Sequence, residues 1–438
     1  MGRNHVLIGT GPAAMAAAEA IRAADRTASI TMVGSEQHGY YSRPGLAYYL
    51  ANEIPESGLF PFTSEDVAAL GVALVHDRAV TIDRERRRVV LASGATIPYD
   101  RLLLATGCSA LPVHVAGFEL DGVVKLDDLD DAKDLIARCR KAKTAVVVGG
   151  GITALELVEG LRAHKVHVHY LMRKERYWSN VLSEAESRVV ERGLESRGVK
   201  IHYFSELESI EGRGGRVTAV RCLSGESIPC DLVAVAIGVV PNKALAQDAG
   251  LACERGVLVD EFLRSSDPDI YAAGDVAEVC EVSSGHRVLE VLWSSAVDKG
   301  RIAGMNMAGE PTHQYVEPAP LNVTRLAGSK ITIIGTVGSG ADSDIEGIAR
   351  GDSEIWRELG EAATVERQLG DAHVRLELGA RAIEGAVVMG DQELSFPLQE
   401  LITQRVEDSD AIQRLREPHA PVAELVTAMW NDWVARHA

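Results

Sequence analysis

Two short glycine runs carry the chemistry that is easiest to infer from this 438-residue sequence. The first is Gly9-Thr10-Gly11-Pro12-Ala13-Ala14. Gly9 permits a tight turn, Gly11 lets backbone approach a pyrophosphate, and Ala14 is small enough for a helix to pack on a strand. Free N–H groups at the start of such a helix carry partial positive charge and suit phosphate oxygens. The second run is Gly149-Gly150-Gly151-Ile152-Thr153-Ala154, where Gly149, Gly151 and Ala154 fill the same three positions. Alone, each run is a common strand-to-helix turn. Its weight comes from following a strand pattern and opening a helical one.

A dinucleotide site of this kind places an acid after its second strand, to bind ribose hydroxyls. After the first run the strand ends Met32-Val33-Gly34-Ser35-Glu36, and Glu36 is the candidate; the competing reading is an exposed loop carboxylate. After the second run comes Met172-Arg173-Lys174-Glu175-Arg176. No acid stands at the strand end. Arg173, Lys174 and Arg176 could pair with a 2′-phosphate, which leans the second site toward NADPH. A solvated basic turn is the alternative, and Glu175 keeps NADH open.

The elements that must position these residues alternate. Strands are expected at His5–Ile8, Ser29–Val33, Ala145–Val148 and Val166–Leu171, with helices at Pro12–Ala24 and Thr153–His164. Short apolar runs followed by glycine and a helical period indicate an α/β fold with parallel sheets. The two units lie about 140 residues apart, from Gly9 to Gly149, which is two related domains and not a solenoid. From about residue 318 no glycine fingerprint remains. Strands at Ile331–Ile334, Val374–Leu378 and Ile383–Val388, a loop at Gly338–Asp344, and helices at Leu398–Gln404 and Ala420–Arg436 suggest a third, α+β domain.

Further motifs stand in order along the chain: Leu102-Leu103-Leu104-Ala105-Thr106-Gly107, Ala236-Ile237-Gly238-Val239-Val240-Pro241-Asn242 and Asp269-Ile270-Tyr271-Ala272-Ala273-Gly274-Asp275. With the two fingerprints, they make the sequence over roughly residues 5–310 resemble the pyridine-nucleotide-dependent flavoprotein reductases. The resemblance implies bound FAD and an NAD(P)H coenzyme. It implies an FAD domain of residues 1–109 and 241–317, an inserted NAD(P)H domain of residues 110–240, and a C-terminal α+β interface domain, 318–438. Ala105, Thr106, Gly107 and Gly238 would mark the crossings between domains. Gly274 and Asp275 would serve FAD, the aspartate through the ribitol.

The segment Tyr40-Tyr41-Ser42-Arg43-Pro44-Gly45-Leu46 separates branches of this family. Thiol-disulfide branches carry a reactive cysteine near the flavin, and this segment has none. Disulfide and peroxide chemistry needs a thiolate, so both are disfavoured. Tyr41-Ser42-Arg43-Pro44 resembles the branch of rubredoxin reductases, ferredoxin reductases and nitrite reductase large subunits. Arg43 would stabilise negative charge on reduced flavin, with Pro44 beside it. Ferredoxin reductases usually have a lysine five residues after this arginine; Tyr48 stands there instead, which weakens that assignment. Ile383–Asp391 is similar to the third domain of the rubredoxin- and nitrite-reductase members. In the family a glutamate at the position of Glu156 faces nicotinamide and flavin; a helix-surface acid is the alternative. Trp293 matches a position near the isoalloxazine; a core tryptophan is equally open.

Net charge is −18, which disfavours nucleic acid as a partner. Residues 321–438 hold 20 Asp/Glu against 11 Lys/Arg, a solubilising acidic surface. The six cysteines include no C-x-x-C, so no metal site is expected. No apolar run is long enough for a membrane span, and no signal peptide precedes the first strand, which reads as cytoplasmic. The expected reaction passes electrons from NAD(P)H through FAD to an external acceptor. That acceptor would be a redox protein or a reductase subunit, with a small molecule as the alternative. A homodimer is open. A different class of function is a flavoprotein whose assembly state is switched by NAD(P)H, as relatives of apoptosis-inducing factor show for this fold.

Overall fold

The apolar runs around both fingerprints form parallel sheets. In a computed structural model, residues 2–280, 285, 287–316, 318–338, 348, 350, 351, 353, 354 and 362–437 are described. The expected loop Gly338–Asp344 lies, from residue 339 on, outside them. The chain divides into two units. One holds Met1–Leu111, Asp127–Ala132 and Val239–Glu317; the other holds Pro112–Leu126, Lys133–Gly238 and Pro318–Ala438.

In the first unit a five-stranded parallel sheet runs in the order Ile270–Ala272, Arg101–Leu104, Asn4–Ile8, Ser29–Gly34, Val72–His76. Its strands are nearly continuous in apolar residues, as a sheet covered on both faces requires. The helix Pro12–Ala24 follows the first fingerprint, with proline in its first turn where no N–H partner is lost. Its alanines pack against the helix Trp293–Ala308. A Cβ added to Gly300 would lie 2.2 Å from the Ala13 carbonyl oxygen, and one on Gly304 would lie 2.5 Å from that of Ala17. Small residues on both helices are therefore what lets the two backbones meet.

In the second unit another five-stranded parallel sheet runs Lys200–His202, His167–Leu171, Thr144–Val148, Leu232–Val235, Val123–Val124. Its fingerprint helix is Ile152–Ala163. The C-terminal part of this unit is an antiparallel sheet in the order Leu321–Leu326, Ser329–Gly335, Ile383–Met389, Ala372–Leu378, Ala363–Leu369. The helices Ser395–Thr403, Ser409–Leu415 and Val422–His437 follow it. The strand Ala363–Leu369 was not expected from sequence: as an edge strand it alternates only weakly and carries Glu366, Arg367 and Gln368.

A buried ion network ties this sheet to the second nucleotide fold. Arg375 Nε donates to both oxygens of Glu186, at 3.1 and 3.2 Å, and Nη2 donates to the Val181 carbonyl at 2.6 Å. Glu377 accepts from Nη1 at 2.5 Å, and burial pushes its carboxyl up. Removing one partner of such a set leaves a buried charge uncompensated.

Candidate functional site

In the first unit, Gly9 has φ +125°, and a Cβ there would lie 2.1 Å from the Ala105 carbonyl oxygen. Only glycine turns the chain this close to the neighbouring strand end. Gly11 begins the helix, and no atom stands within 4 Å of where its Cβ would be. The open space is the kind of cradle that a phosphate needs and that a side chain would fill. Ala13 and Ala14 are buried beneath it. Gly274, at φ +78°, lies against Ala13: its Cβ would be 3.1 Å from that of Ala13 and 3.8 Å from that of Ala296. The first fingerprint, Gly274-Asp275 and the start of Trp293–Ala308 thus converge.

The two crossing motifs also meet. Thr106 Oγ1 donates to the Asn242 carbonyl at 2.8 Å, and Asn242 Nδ2 donates to the Thr106 carbonyl at 3.0 Å. Cys108–Ala110 and Val239–Pro241 then pair as an antiparallel ribbon. Gly107, at φ +64°, has open space where a Cβ would stand. Cys108 Sγ donates to Asp275 Oδ2 at 3.0 Å.

Glu36 and Arg43, given separate tasks on sequence, are joined. Arg43 Nη2 bonds Glu36 Oε1, and Tyr41 Oη donates to Glu36 Oε2 at 2.7 Å. Arg43 Nη1 also donates to the Asp127 carbonyl, and its guanidinium stands 5.7 Å from the Tyr41 ring centroid. The negative charges around it raise the pKa of Arg43 against the opposing effect of burial, and burial pushes the Tyr41 phenol up. Pro44 leads into the helix Gly45–Leu50. Trp293 opens its helix and is 50% exposed, so the core reading fails; its Nε1 donates to Tyr40 Oη at 3.2 Å.

The second unit repeats the first turn. Gly149 has φ +147°, and its Cβ would lie 2.1 Å from the Ala236 carbonyl oxygen and 3.0 Å from the Ala154 Cβ. Ala236 thus stands to Gly149 as Ala105 stands to Gly9. Gly238 is at φ +128°. Gly150 faces open space, and Gly151 caps the helix. Ile152 is buried, while Thr153 Oγ1 is buried with no hydrogen-bond partner, an orphaned polar atom in the first turn. Glu156 stands one turn further on. Burial pushes its carboxyl up to about 7, Arg350 draws it back, and Glu159 adds to the rise.

The basic loop is divided. Arg173 and Lys174 are exposed. Arg176 folds back, pairing with Glu175 and donating to the Ser179 carbonyl at 2.8 Å. Of the cysteines, Cys139 and Cys230 are buried, and burial pushes their thiols up to about 11 and about 12. Asp127 and Arg350 were not singled out from sequence, because no local pattern marks them. Asn242 stood inside a crossing motif, and its polar side chain beside Pro241 was the available signal.

Among the described residues no helix is long and apolar enough to cross a membrane. Residues 3–300 match the family described as pyridine nucleotide-disulphide oxidoreductase. The ferredoxin–NAD(+) reductase component of the biphenyl dioxygenase system of Paraburkholderia xenovorans is 34% identical over 80% of this chain and 84% of its own. The rubredoxin-NAD(+) reductase of Pseudomonas putida is 33% identical over 72% of this chain and 81% of its own. Putidaredoxin reductase, solved in covalent complex with putidaredoxin, superposes with a TM-score of 0.84 at 25% identity, over 98% of this chain and 99% of that one. The chain belongs to the pyridine nucleotide-disulphide oxidoreductase family and is an FAD-dependent NAD(P)H oxidoreductase.

Proposed function

We propose that the chain passes electrons from NAD(P)H to a small redox protein of the ferredoxin or rubredoxin class, with no protein thiol between flavin and acceptor. Two fingerprints, with open space at Gly11 in the first and at Gly150 in the second, carry this reading. The names of the similar reductases support the acceptor class. One NADH would reduce two one-electron acceptors and release one proton. FAD, when bound, supplies the conversion between hydride acceptance and single-electron release.

The chain's own residues bind and orient. Gly9, Gly11, Pro12, Ala13 and Ala14 would hold the FAD pyrophosphate, and Asp275 the ribitol. Ala105, Thr106 and Gly107 would close the cofactor edge. Gly149, Gly151, Ile152 and Thr153 would hold the coenzyme pyrophosphate, with Glu156 toward the nicotinamide. Arg43 would supply positive charge to the flavin, held in place by Glu36. In this reading Glu36 acts through Arg43, not on a ribose. Trp293, half exposed at its helix start, would flank the flavin. Residues 1–109 with 241–317 form the FAD domain, 110–240 the coenzyme domain and 318–438 the interface domain.

The lean toward NADPH narrows. With Arg176 spent inside its own loop, a 2′-phosphate would meet only exposed Arg173 and Lys174. Use of both coenzymes, with NADH at least equal, fits the similar proteins named for NAD(+).

The test follows the flavin absorbance in a stopped-flow mixer, first with NADH and then with a ferredoxin or a rubredoxin. Fast reduction followed by fast re-oxidation by either protein supports the reading. Fast reduction with re-oxidation no quicker than by air would defeat it.

A further inference from the structure

The C-terminal sheet carries a side-chain cluster that neither nucleotide site uses. Glu366 lies on the strand Ala363–Leu369 and His373 on its antiparallel neighbour, Ala372–Leu378. Glu186 lies in the first turn of the helix Glu184–Ser196. His373 Nε2 stands 2.9 Å from Glu366 Oε1 and 3.7 Å from Glu186 Oε1, and one ligand atom from each of the three residues falls within 4.8 Å of the others. A tetrahedral zinc ion with bonds of about 2.0–2.1 Å holds its ligand atoms roughly 3.3 Å apart. The spacing of these atoms is therefore close to that of a coordination shell. The carboxylates are also oriented from behind. Glu186 accepts from Arg375 Nε at 3.1 Å and from the Ser183 backbone N–H at 2.8 Å, and Ser183 Oγ donates to Glu366 Oε1 at 2.5 Å. Outer partners of this kind fix ligating carboxylates in place. Charge points the same way. Arg375 is shared between Glu186 and Glu377. The Glu366 carboxylate meets no guanidinium or ammonium group among the described residues; its partners are the Ser183 hydroxyl and the His373 ring.

We propose that Glu186, Glu366 and His373 bind a divalent transition-metal cation of the zinc class. An imidazole beside two carboxylates suits such ions, whereas magnesium and calcium prefer oxygen alone. His373 ligates through Nε2 as the neutral ring, and each glutamate through Oε1. Glu186 is fully buried while Glu366 is one-third exposed, so the open side of the site lies toward Glu366 and leaves room there for water. The ion supplies the positive charge that Glu366 lacks. It also ties the edge strand of the C-terminal sheet to a helix of the coenzyme fold, so its role is structural.

The test uses the FAD-loaded protein, treated with EDTA and exchanged into chelator-free buffer. Zn2+ is titrated in competition with a chromophoric chelator, and the melting temperature is followed in parallel. A single tight equivalent of Zn2+ is expected, and it should raise the melting temperature. Glu366→Gln keeps a hydrogen-bonding side chain but loses the charge, and should weaken Zn2+ binding by about tenfold to hundredfold. His373→Ala should weaken it at least as much. Reduction of the flavin by NADH should stay near the wild-type rate in Glu366→Gln, because this residue belongs to neither nucleotide site. No tight equivalent of Zn2+ in the wild type overturns the proposal. So does Zn2+ bound at wild-type strength in both variants, which would assign the ion to other histidines or cysteines. If His373→Ala does not fold, wild-type strength in Glu366→Gln alone overturns it.

Discussion

Arg43 is bonded through Nη2 to Glu36, and Tyr41 closes the other carboxylate oxygen at 2.7 Å. The eight-residue segment from Glu36 to Arg43 therefore forms a clasp that fixes the guanidinium. Neither side chain is free to swing without breaking a charge-assisted bond.

The clasp should behave as a unit. In a double-mutant cycle, Glu36→Ala and Arg43→Ala should couple by roughly 1 kcal/mol in unfolding free energy, since both side chains are partly exposed. Either change should also weaken FAD binding, by about tenfold. Additive effects on both measurements would mean the two residues act separately.

Gly9 and Gly11 should respond differently to a side chain. A Cβ on Gly11 has open space around it, so in Gly11→Val the fold and its melting temperature should persist while FAD content falls sharply. Gly9→Val would drive a Cβ into the Ala105 carbonyl at a positive φ, so the fold itself should suffer. Asp275→Ala should resemble Gly11→Val. Full FAD occupancy in both Gly11→Val and Asp275→Ala would remove the site assignment.

Cysteine chemistry should be dispensable. Cys108 donates to Asp275, and serine can do the same. Flavin reduction and re-oxidation should therefore stay largely intact in Cys108→Ser and after treatment with a thiol reagent. Mass spectrometry that trapped a mixed disulfide during turnover would contradict this.

Coenzyme preference should depend weakly on Arg173. Arg173→Ala should lower catalytic efficiency with NADPH by about tenfold or less, and with NADH hardly at all. Equal losses would reduce the basic loop to a solvated turn.

His5 should set an acid limit on stability. It lies 1% exposed in the first strand, with neither ring nitrogen hydrogen-bonded. Burial, helped by Arg3, lowers its pKa to about 4, against 6.5 for the free side chain. Between those values the unfolded chain binds a proton that the folded chain refuses, so stability is full above about 6.5 and is lost as pH falls toward 4. The loss amounts to roughly 3 kcal/mol. In His5→Leu, denaturant midpoints measured across this range should lose that part of their slope; an unaltered slope would assign the acid sensitivity elsewhere.

What the sequence determined by itself was local. The sign of φ at Gly9 and Gly149, the helix Pro12–Ala24 and the apolar strands flanking each fingerprint follow from residue type and period, which act over a few positions. The order of motifs extended this to the family. Tertiary structure decided the partnerships. Thr106 meets Asn242 across 136 residues, Cys108 meets Asp275 across 167, and Arg375 meets Glu186 across 189. It also turned Glu36 toward Arg43 and spent Arg176 on its own loop. No local pattern encodes these pairs. A side chain's bonds and charge depend on which strand ends and loops the sheet order places beside it, and that order exists only once the whole chain has packed.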